Sequence, residues 1–537
     1  MKNFSAPVDD ILFSLNAIAR ADRIPDWDTD FSREIATHFA AFAEGEIAPL
    51  DESGDLQGCR IENGRVEMPD GFSQAYKSYC EQGWPGLTAP ETYGGQGLGG
   101  AMLAITSEIF SGACQSMQMV TGLLPGAVRT LEVFGTEDQK ARLIEPLVTG
   151  EWLATMCLTE PGAGSDLSRI RCKAVQEGAA WKITGDKIFI SGGDQTMSVG
   201  ILHLVLARTS DDGVRGLSLF LCLSERADGS RNSVSVTRIE EKMGLHASPT
   251  CQLAFDAADG ELIGEIGGGL KAMFTMMNHA RLDVSLQGVA HATRALDIAR
   301  SHAADRSQGR NAEGKSVTID QHADVRRMLD QMDILGLSGR AMAHLVLVVM
   351  ETNSDPDLVE FLTPVVKFYC TEAGMKAAEL GMQVLGGYGY LHEYRVEQTY
   401  RDVRISAIYE GANGIHSGAL ATRLLRAKNG VFADAFAHFV ETELQVHDRA
   451  DVAETYALWA QARQVLLAEA DPSEFADAFM RLTIELLVLL VWARFEAAAD
   501  QHSDPMRIGR LAKRVKSFGL AQANLQASVI EAGKMYE

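Results

Sequence analysis

The spacing of apolar residues divides the chain into regions of different character. From about residue 31 to 155 apolar positions recur at helical spacing, and residues 101–134 carry them on more than one face, which predicts a buried helix pair. Between 157 and 260 short β-branched and aromatic segments alternate with Gly and Asp turns. This alternation predicts the antiparallel strands of a small barrel or sandwich. After Gly269 the helical pattern returns and continues to the end of the chain.

The helical sequence after Gly269 contains four long Ala-, Leu- and Met-rich stretches, at about 270–307, 317–352, 356–386 and 402–428. Segments of this length predict a four-helix bundle. We therefore predict a multidomain α+β protein with the following parts: an N-terminal extension (1–34), an N-terminal α domain (35–155), an antiparallel β domain (156–265), a C-terminal α bundle (266–430) and a helical extension (431–537).

Composition and charge exclude several kinds of partner. Of 537 residues, 49 are Lys or Arg and 72 are Asp or Glu, which gives a net charge of −23. Such a charge repels nucleic acid and anionic lipid. The longest apolar run, Leu486–Ala493, is too short to span a bilayer, and the first twenty residues lack the pattern of a secretory signal. We expect a soluble cytoplasmic protein that binds neither nucleic acid nor membranes.

Two features argue against other enzyme classes. The eight cysteines form no Cys-x-x-Cys pair, so neither a metal site nor a thioredoxin-type motif is predicted. Residues Gly95–Gly100 match the G-x-G-x-x-G spacing of dinucleotide-binding folds, but the preceding segment holds two prolines and no acidic residue follows at the required distance. We interpret this segment as a loop between helices, which disfavours a nicotinamide enzyme.

Three segments, far apart in sequence, combine small residues with groups that carry chemistry. They are Cys157–Asp166, Gly185–Gly193 and Arg401–Gly414. In the first, glycines let backbone amides approach a ligand, and Thr159 and Ser165 offer hydroxyl groups. The second is a strand that enters a Gly-rich turn. The third holds a carboxylate between an aromatic residue and a Gly-rich break.

Taken singly, each segment also has a structural explanation, as a tight turn, a core aromatic (Phe189) or a solvated helix end (Glu410). Taken together, in this order and context, they resemble the acyl-CoA dehydrogenase family over about residues 35–428. Further matches are KMGLHASPTCQLAF and QVLGGYGYLHEYRVEQTYRD. The segment FTMMNHARL and the long C-terminal extension resemble those of a subgroup of that family.

The resemblance implies FAD as cofactor, an acyl-CoA as substrate and Glu410, in the motif IYEG, as catalytic base. The positions that it assigns to the flavin are Met156, Leu158, Thr159, Gly164, Ser165, Phe189, Ile190, Ser191, Arg306, Gln308, Gln383, Gly386, Gly387 and Asn413. The positions that it assigns to the substrate are Ser165, Asn278, Arg281, Tyr409 and Gly411. For Arg281 an ion pair with Asp283 inside the bundle is the alternative.

The implied reaction explains why these groups belong together. The hydrogen next to a thioester carbonyl is a weak acid, so its removal needs a positioned base, and burial makes a carboxylate more basic. The β-hydrogen leaves as hydride, which a flavin accepts and side chains do not. The resemblance further implies an electron-transfer flavoprotein as acceptor. Many family members carry Thr and Gln where this chain has Ala412 and Gly414, so some flavin contacts are expected to differ.

The resemblance also bears on assembly and on rival functions. Arg306, Gln308, Gln383, Gly386 and Gly387 match positions that reach the flavin of a neighbouring subunit, so a homodimer or homotetramer is expected. One alternative is an acyl-CoA oxidase, which shares the base but passes electrons to oxygen. Another is a DNA-associated member without catalysis, which the net charge of −23 disfavours.

Overall fold

The computed structural model describes residues 3–178, 180–226 and 228–533, without the side chains of residues 278 and 279. The chain forms two compact units. The first unit consists of Met1–Ala41, Ala104–Gly112 and Arg281–Glu537, and the second of Phe42–Leu103 and Ala113–Ala280.

The helices and strands follow the predicted order of helical, β and helical sequence. The α-helices are α1 (Val8–Phe13), α2 (Thr29–Phe42), α3 (Ala48–Gln57), α4 (Phe72–Glu81), α5 (Gly100–Thr121), α6 (Leu124–Phe134), α7 (Glu137–Val148), α8 (Gly269–Asp305), α9 (Ala323–Glu351), α10 (Pro356–Leu385), α11 (Val396–Val403), α12 (Asn413–Ala419), α13 (Val431–Val446), α14 (Ala450–Ala468), α15 (Ala476–Ala497) and α16 (Pro505–Gly533). The strands are β1 (Arg60–Glu62), β2 (Arg65–Glu67), β3 (Trp152–Cys157), β4 (Lys173–Glu177), β5 (Ala180–Ser191), β6 (Gly200–Arg208), β7 (Leu217–Leu223), β8 (Val234–Ile239), β9 (Thr250–Ile263), β10 (Ser307–Arg310) and β11 (Ser316–Thr318).

Strands β3 to β9, in the second unit, form one seven-stranded sheet in the order β3-β6-β4-β5-β9-β7, with β8 paired to β9. Because β7 also pairs with β6, the sheet closes on itself, which confirms a small barrel. The prediction of purely antiparallel pairing was wrong. Strand β3 runs parallel to β6 from Trp152↔Gly200 to Cys157↔Val205, and the β4–β5 hairpin between them provides the long crossover that a parallel pair needs.

The loop at Gly95–Gly100 is confirmed as a connection between helices. A short 3-10 helix (Glu91–Tyr93) precedes it and α5 follows it, so no strand leads into the glycines. A dinucleotide-binding turn requires that strand. In the same unit, side chains cap the start of α7, where Thr136 and Gln139 form a capping box.

In the first unit, helices α8, α9 and α10 form the long members of the predicted bundle. Helix α10 begins where the Asp355 side chain accepts a hydrogen bond from the Leu358 N–H at 2.9 Å, with Pro356 at the first helical position. Helices α8 and α10 approach closely through glycines. A Cβ on Gly288 would lie 2.3 Å from the Cys370 carbonyl oxygen, which no side chain tolerates.

The prediction of one continuous fourth helix over 402–428 was wrong. Helix α11 ends at Val403, and a 3-10 turn (Arg404–Ala407) leads into an irregular segment. Helix α12 is short and continues as a π-helical segment, Leu420–Leu424. The break falls on the candidate base, because Glu410 and Gly411 both have positive φ angles, 53° and 96°, which an α-helix excludes.

The C-terminal extension, α13 to α16, shares one hydrophobic core with α9 and α10. Aromatic side chains in contact with one another connect the helices in this core. The Phe436 ring lies 5.0 Å from that of Phe361 on α10 and 5.2 Å from that of Trp459 on α14. The indole N–H of Trp492 donates to the Ser338 hydroxyl on α9 at 2.8 Å, so the buried polar edge of that ring is satisfied. The extension is thus an integral part of this unit.

Ion pairs join the N-terminal segment to the same extension. Asp10 on α1 accepts hydrogen bonds from His502 Nε2 at 2.8 Å and from both terminal nitrogens of Arg507 at 2.9 Å. Arg507 also pairs with the buried carboxylate of Asp333 on α9 at 2.6 Å. These pairs hold the pKa of Asp10 well below its usual range, although burial alone would raise it.

A second buried pair lies next to these residues. Arg340 on α9 and Glu108 on α5 are both almost completely inaccessible to solvent, and the Arg340 guanidinium donates to Glu108 Oε1 at 2.6 Å and 2.9 Å. Burial raises the pKa of Glu108 and Arg340 opposes that rise. Each charge therefore depends on its partner, because an unpaired ion in this core would be strongly disfavoured.

Among the described helices, α9 is the one whose length and composition would suit a membrane crossing. Of its most apolar 18-residue window, 89% is buried inside the protein, as in the core helix of a globular fold. The apolar run Leu486–Ala493 lies within α15 and is likewise buried, as predicted. The described residues contain no cluster of His, Cys, Asp or Glu side chains suited to a metal ion.

Candidate active site

The turn that carries Glu410 is strained and tightly packed. Glu410 is a non-glycine residue in the left-handed region, a conformation that costs about 1 kcal/mol or more and persists only where the surroundings enforce it. Gly411 follows with a φ of 96°. A Cβ on Gly411 would lie 2.8 Å from Nε2 of His416, so glycine is required for both its conformation and its size.

Hydrogen bonds connect this turn and Asn413 to neighbouring side chains. The Lys367 ammonium group, on α10, donates to the Gly411 carbonyl at 2.8 Å and to Asn413 Oδ1 at 3.1 Å. The His416 ring on α12 donates through Nε2 to the Glu410 carbonyl at 3.2 Å. Asn413 in turn donates to the Thr371 hydroxyl at 3.1 Å. The Asn413 side chain therefore already binds two residues of α10, Lys367 and Thr371. A contact of this side chain with a flavin would compete with these two hydrogen bonds.

The carboxylate of Glu410 combines burial with an open acceptor. Its Oε2 atom is buried and has no hydrogen-bond partner among the described residues. Burial raises its pKa to about 7, and the charge of Asp283 acts in the same direction. The positive charges of Arg281 and Lys367 oppose this rise. Within the described part of the chain, the backbone N–H of Glu410 also donates to no acceptor.

A chain of polar side chains leads from this turn into the bundle. The Tyr409 hydroxyl donates to Gln287 Oε1 on α8. Gln287 Nε2 donates to Asp283 Oδ2 at 3.0 Å, and Ser107 on α5 donates to the other oxygen of Asp283. The aromatic residue that precedes the candidate base is thus fixed to the bundle through its hydroxyl group. The sequence suggested that Tyr409 contacts the substrate, but it did not predict this series of hydrogen bonds into the bundle.

The second unit brings together the candidate flavin residues of the first two motifs. The Ile188 N–H donates to the Thr159 carbonyl at 2.9 Å, which joins β5 to the segment that follows β3. Lys187, fully buried, donates to the Leu158 carbonyl at 3.1 Å and pairs with Glu160 Oε1 at 2.8 Å. These contacts fix the Gly-rich segment 160–165 against the strand.

Phe189 lies at an irregularity in β5. The pairing with β9 shifts between Lys187 and Ile190, and Phe189 takes a φ of 59°. As a result its ring is 59% exposed, whereas Ile190 is buried. An exposed aromatic ring held by a strained backbone is a surface suited to stacking. The other residues predicted there are half-buried (Met156, Leu158, Thr159, Ser191) or exposed (Gly164, Ser165).

The remaining flavin positions share one exposed surface of the first unit. The Arg306 guanidinium lies 5.4 Å from the centre of the Tyr388 ring, which connects the β10–β11 hairpin to the turn after α10. Gln308 on that hairpin and Gln383, Gly386 and Gly387 at the end of α10 are all exposed. A Cβ on either glycine would meet open space. The Asn278 side chain lies outside the described residues.

Two neighbours of the candidate base were not predicted from the sequence. Lys367 is the single cation in an apolar stretch of α10. Because a lysine is rarely buried without a partner, this position could have indicated a buried polar contact. His416 follows Glu410 by six residues, but nothing local indicates that its ring packs against the turn. Burial lowers the pKa of His416 to about 4, so this ring is neutral at physiological pH.

Family models match most of the chain. The acyl-CoA dehydrogenase N-terminal domain matches residues 29–151, the middle domain 155–258 and the C-terminal domain 267–425. The chain is 41% identical over 463 residues to 3-methylmercaptopropionyl-CoA dehydrogenase of Ruegeria pomeroyi, a match that covers 81% of this chain and 79% of that protein. Both findings confirm the resemblance seen in the motifs.

Solved structures extend the likeness to the C-terminal helices. The TM-score is 0.78 with an acyl-CoA dehydrogenase of Bacillus anthracis complexed with FAD, which covers 98% of this chain and 92% of that one at 22% identity. It is 0.80 with ACDH-11 of Caenorhabditis elegans in complex with C11-CoA, which covers 96% and 92% at 19% identity. Each match spans nearly the whole chain, so the predicted fold, including the helices after residue 430, is confirmed.

Proposed function

The chain belongs to the acyl-CoA dehydrogenase family, and we propose that Glu410 is the base that removes the α-proton of its substrate. The activity of the chain is the dehydrogenation of an acyl-CoA. The observation that supports the assignment is the buried Oε2 atom of Glu410, which has no hydrogen-bond partner among the described residues. A carboxylate oxygen with no competing donor is available to take a proton from carbon.

The surroundings of Glu410 give it suitable strength as a base. Burial raises its pKa to about 7, which increases its affinity for a proton compared with an ordinary glutamate. Arg281 and Lys367 oppose a further rise, so a substantial fraction stays ionised near neutral pH. The N–H of Glu410, which donates to no acceptor among the described residues, is suited to bind the thioester oxygen as negative charge develops there.

FAD, which the family binds, supplies when bound the acceptor for the β-hydrogen that side chains lack. We propose that Phe189, Ile190 and Ser191 hold its ring system. The exposed, strained Phe189 ring supports this proposal. The neighbouring residues proposed for the same cofactor are Met156, Leu158, Thr159, Gly164 and Ser165, where the open space at Gly164 and the hydroxyl groups fit a flavin and its phosphates.

We further propose that the exposed surface with Arg306, Gln308, Gln383, Gly386 and Gly387 serves the flavin of a second copy of the chain. Open space at both glycines and an Arg held over an aromatic ring suit a phosphate-bearing ligand. A homodimer or homotetramer follows from this proposal. Size-exclusion chromatography with light scattering of the flavin-loaded protein tests it, and a flavin-loaded monomer would contradict it.

The decisive experiment follows the oxidised flavin band after anaerobic mixing with acyl-CoAs. The panel includes straight-chain thioesters and 3-methylmercaptopropionyl-CoA, the substrate named for the 41% identical relative. We expect bleaching with the wild type and none with Glu410→Gln, which keeps the size of the side chain but accepts no proton. The control is Glu379→Gln, an exposed glutamate paired with Lys376 on α10. Equal bleaching by Glu410→Gln would refute the assignment.

An electron-transfer flavoprotein is the proposed acceptor of the electrons. Turnover in air distinguishes this from an acyl-CoA oxidase, which releases hydrogen peroxide in proportion to product. We expect reduced flavin to persist in air and to reoxidise rapidly when an electron-transfer flavoprotein is added. Stoichiometric peroxide would instead assign the chain to the oxidase reaction with the same base.

A further inference from the structure

We propose that Lys367 is a positioning residue for Glu410, which fixes the peptide after the base and holds a cation beside its carboxylate. The proposal builds on the proposed function, in which Glu410 is the base. It adds the group that keeps this base in place. Lys367 lies on α10, 43 residues before Glu410 in sequence, and is fully buried.

The contacts of Lys367 are to the turn and not to the carboxylate. Its ammonium group donates to the Gly411 carbonyl at 2.8 Å and to Asn413 Oδ1 at 3.1 Å. No ion pair joins Lys367 to Glu410 within the described part of the chain. The lysine therefore leaves the Glu410 oxygens available for chemistry, while a charge-assisted hydrogen bond secures the backbone directly after them.

The turn needs such an anchor. Glu410 and Gly411 have φ angles of 53° and 96°, and a strained pair of this kind relaxes unless other elements hold it. Among the described residues of α10, Lys367 is the one that donates to the Gly411 carbonyl, while His416 donates to the Glu410 carbonyl from α12 at 3.2 Å. His416 is neutral at physiological pH, since burial lowers its pKa to about 4. Lys367 is thus the donor to this turn that can carry a charge.

The framework around Lys367 is rigid enough to transmit this position. Helix α10 packs against α8 at Gly374, where a Cβ would lie 2.6 Å from the Gly288 carbonyl oxygen. One turn of α10 after Lys367, Thr371 donates to the Lys367 carbonyl at 2.9 Å and binds Asn413. Lys367 and Asn413, its second acceptor, are therefore both held by the segment of α10 between Lys367 and Thr371.

The titratable groups that face Glu410 come from three helices, and His416 is the neutral one among them at physiological pH. Arg281 and Asp283 lie on α8, Lys367 on α10 and His416 on α12. Arg281 and Lys367 lower the pKa of Glu410, and Asp283 raises it. Removal of the Lys367 cation must therefore raise the pH at which Glu410 loses its proton. Burial in turn lowers the pKa of Lys367 to about 7, against the stabilising charge of Glu410.

The first test measures the ionisation of Glu410 without substrate. The infrared band of its protonated carboxyl group is the one that disappears in Glu410→Gln, and its pH titration is compared among variants of the flavin-loaded protein. We expect the midpoint to rise by about one pH unit in Lys367→Met and to stay near the wild-type value in Lys367→Arg, which keeps the charge. The matched control is Lys376→Met, an exposed lysine on the same helix.

The second test measures the anchor itself. Hydrogen exchange followed by mass spectrometry reports the peptide that contains Tyr409–His416, in which the Tyr409 N–H donates to the Ile405 carbonyl and the His416 N–H donates to the Ala412 carbonyl. We expect exchange of these two N–H groups, which lie on either side of the turn, to accelerate at least about tenfold in Lys367→Met and to remain unchanged in Lys376→Met, because the turn between them loses its donor to the Gly411 carbonyl. If Lys367→Met does not fold, Lys367→Gln is measured in both tests with the same expectations.

An unchanged Glu410 midpoint together with unchanged exchange in the Lys367 variant would overturn the proposal. Both measurements are independent of acyl-CoA turnover. If the wild type fails to bleach with any thioester while the midpoint and exchange still shift in Lys367→Met, the proposed reaction fails and the positioning role stands. If the wild type bleaches and neither the Glu410 midpoint nor the exchange shifts in Lys367→Met, the proposed reaction stands and the positioning role of Lys367 fails.

Discussion

The burial of Glu410 leads to a specific pH dependence of flavin reduction. Its pKa is raised from 4.5 to about 7, mainly because burial disfavours the charged form. This shift corresponds to about 3 kcal/mol of disfavoured ionisation relative to water. The perturbation is a change of pH from 6 to 8 at constant ionic strength, over which a group of this pKa passes from mostly protonated to mostly ionised.

The magnitude follows from the ionised fraction. With a pKa of about 7 this fraction rises from about one-tenth at pH 6 to about nine-tenths at pH 8, so the reduction rate rises nearly tenfold. An unperturbed glutamate would be more than about 95% ionised throughout and the rate would be constant. The sign is fixed as well, since only the ionised form accepts the α-proton. The rate must therefore increase with pH.

Anaerobic stopped-flow spectrometry measures this dependence. The acyl-CoA concentration is kept far below saturation, so that the second-order rate constant reports the free enzyme. Glu410→Gln provides the baseline at each pH. A rate that stays level or falls between pH 6 and pH 8 would refute the reasoning, because it would mean that Glu410 is already ionised or is not the group that accepts the proton.

Three further changes test other parts of the structure. Phe189→Ala removes a ring that is 59% exposed, so we expect about tenfold weaker FAD binding by fluorescence titration and an unchanged melting temperature of the apoprotein. Gly411→Ala forces a Cβ to within 2.8 Å of the His416 ring, so reduction should slow by at least about a hundredfold while flavin content, measured by absorbance, is retained. Arg340→Met leaves Glu108 buried without its cation and should destabilise the protein by about 3–5 kcal/mol, whereas the double variant with Glu108→Leu should recover most of the loss in a calorimetric scan. Wild-type flavin affinity in Phe189→Ala, a wild-type reduction rate in Gly411→Ala or wild-type stability in Arg340→Met would each contradict the corresponding expectation.

The order of helical and β regions could be predicted because it depends on local periodicity. Strand β9 alternates between buried and more exposed positions as expected, whereas β6 and β7 are buried almost throughout. Helices α8, α9 and α10 have about the expected lengths. Parallel pairing of β3 with β6 could not be predicted in the same way. It joins segments some 48 residues apart, Trp152 and Gly200, whose own patterns do not depend on the direction of the partner strand.

The candidate base itself could be found from sequence because its motif is compact. Tyr409, Glu410 and Gly411 are adjacent, and their types alone indicate a carboxylate at a break. Its electrostatic environment could not be found. Lys367 reaches the Gly411 carbonyl from 44 residues away, and this contact depends on how α10 packs against the turn. A lone lysine in an apolar stretch indicates a buried partner but does not identify it.

The ion pairs between Asp10 and the helix that holds Arg507 have a consequence for how the protein is made. The two residues are 497 positions apart, so the first helix cannot reach its final contacts until Arg507 has left the ribosome. At about 5–20 residues per second this delay is roughly 25–100 s. During that time the Phe13 side chain of α1 lacks its final neighbours, among them the Phe495 ring at 5.9 Å, and a chaperone that protects the nascent chain would act there.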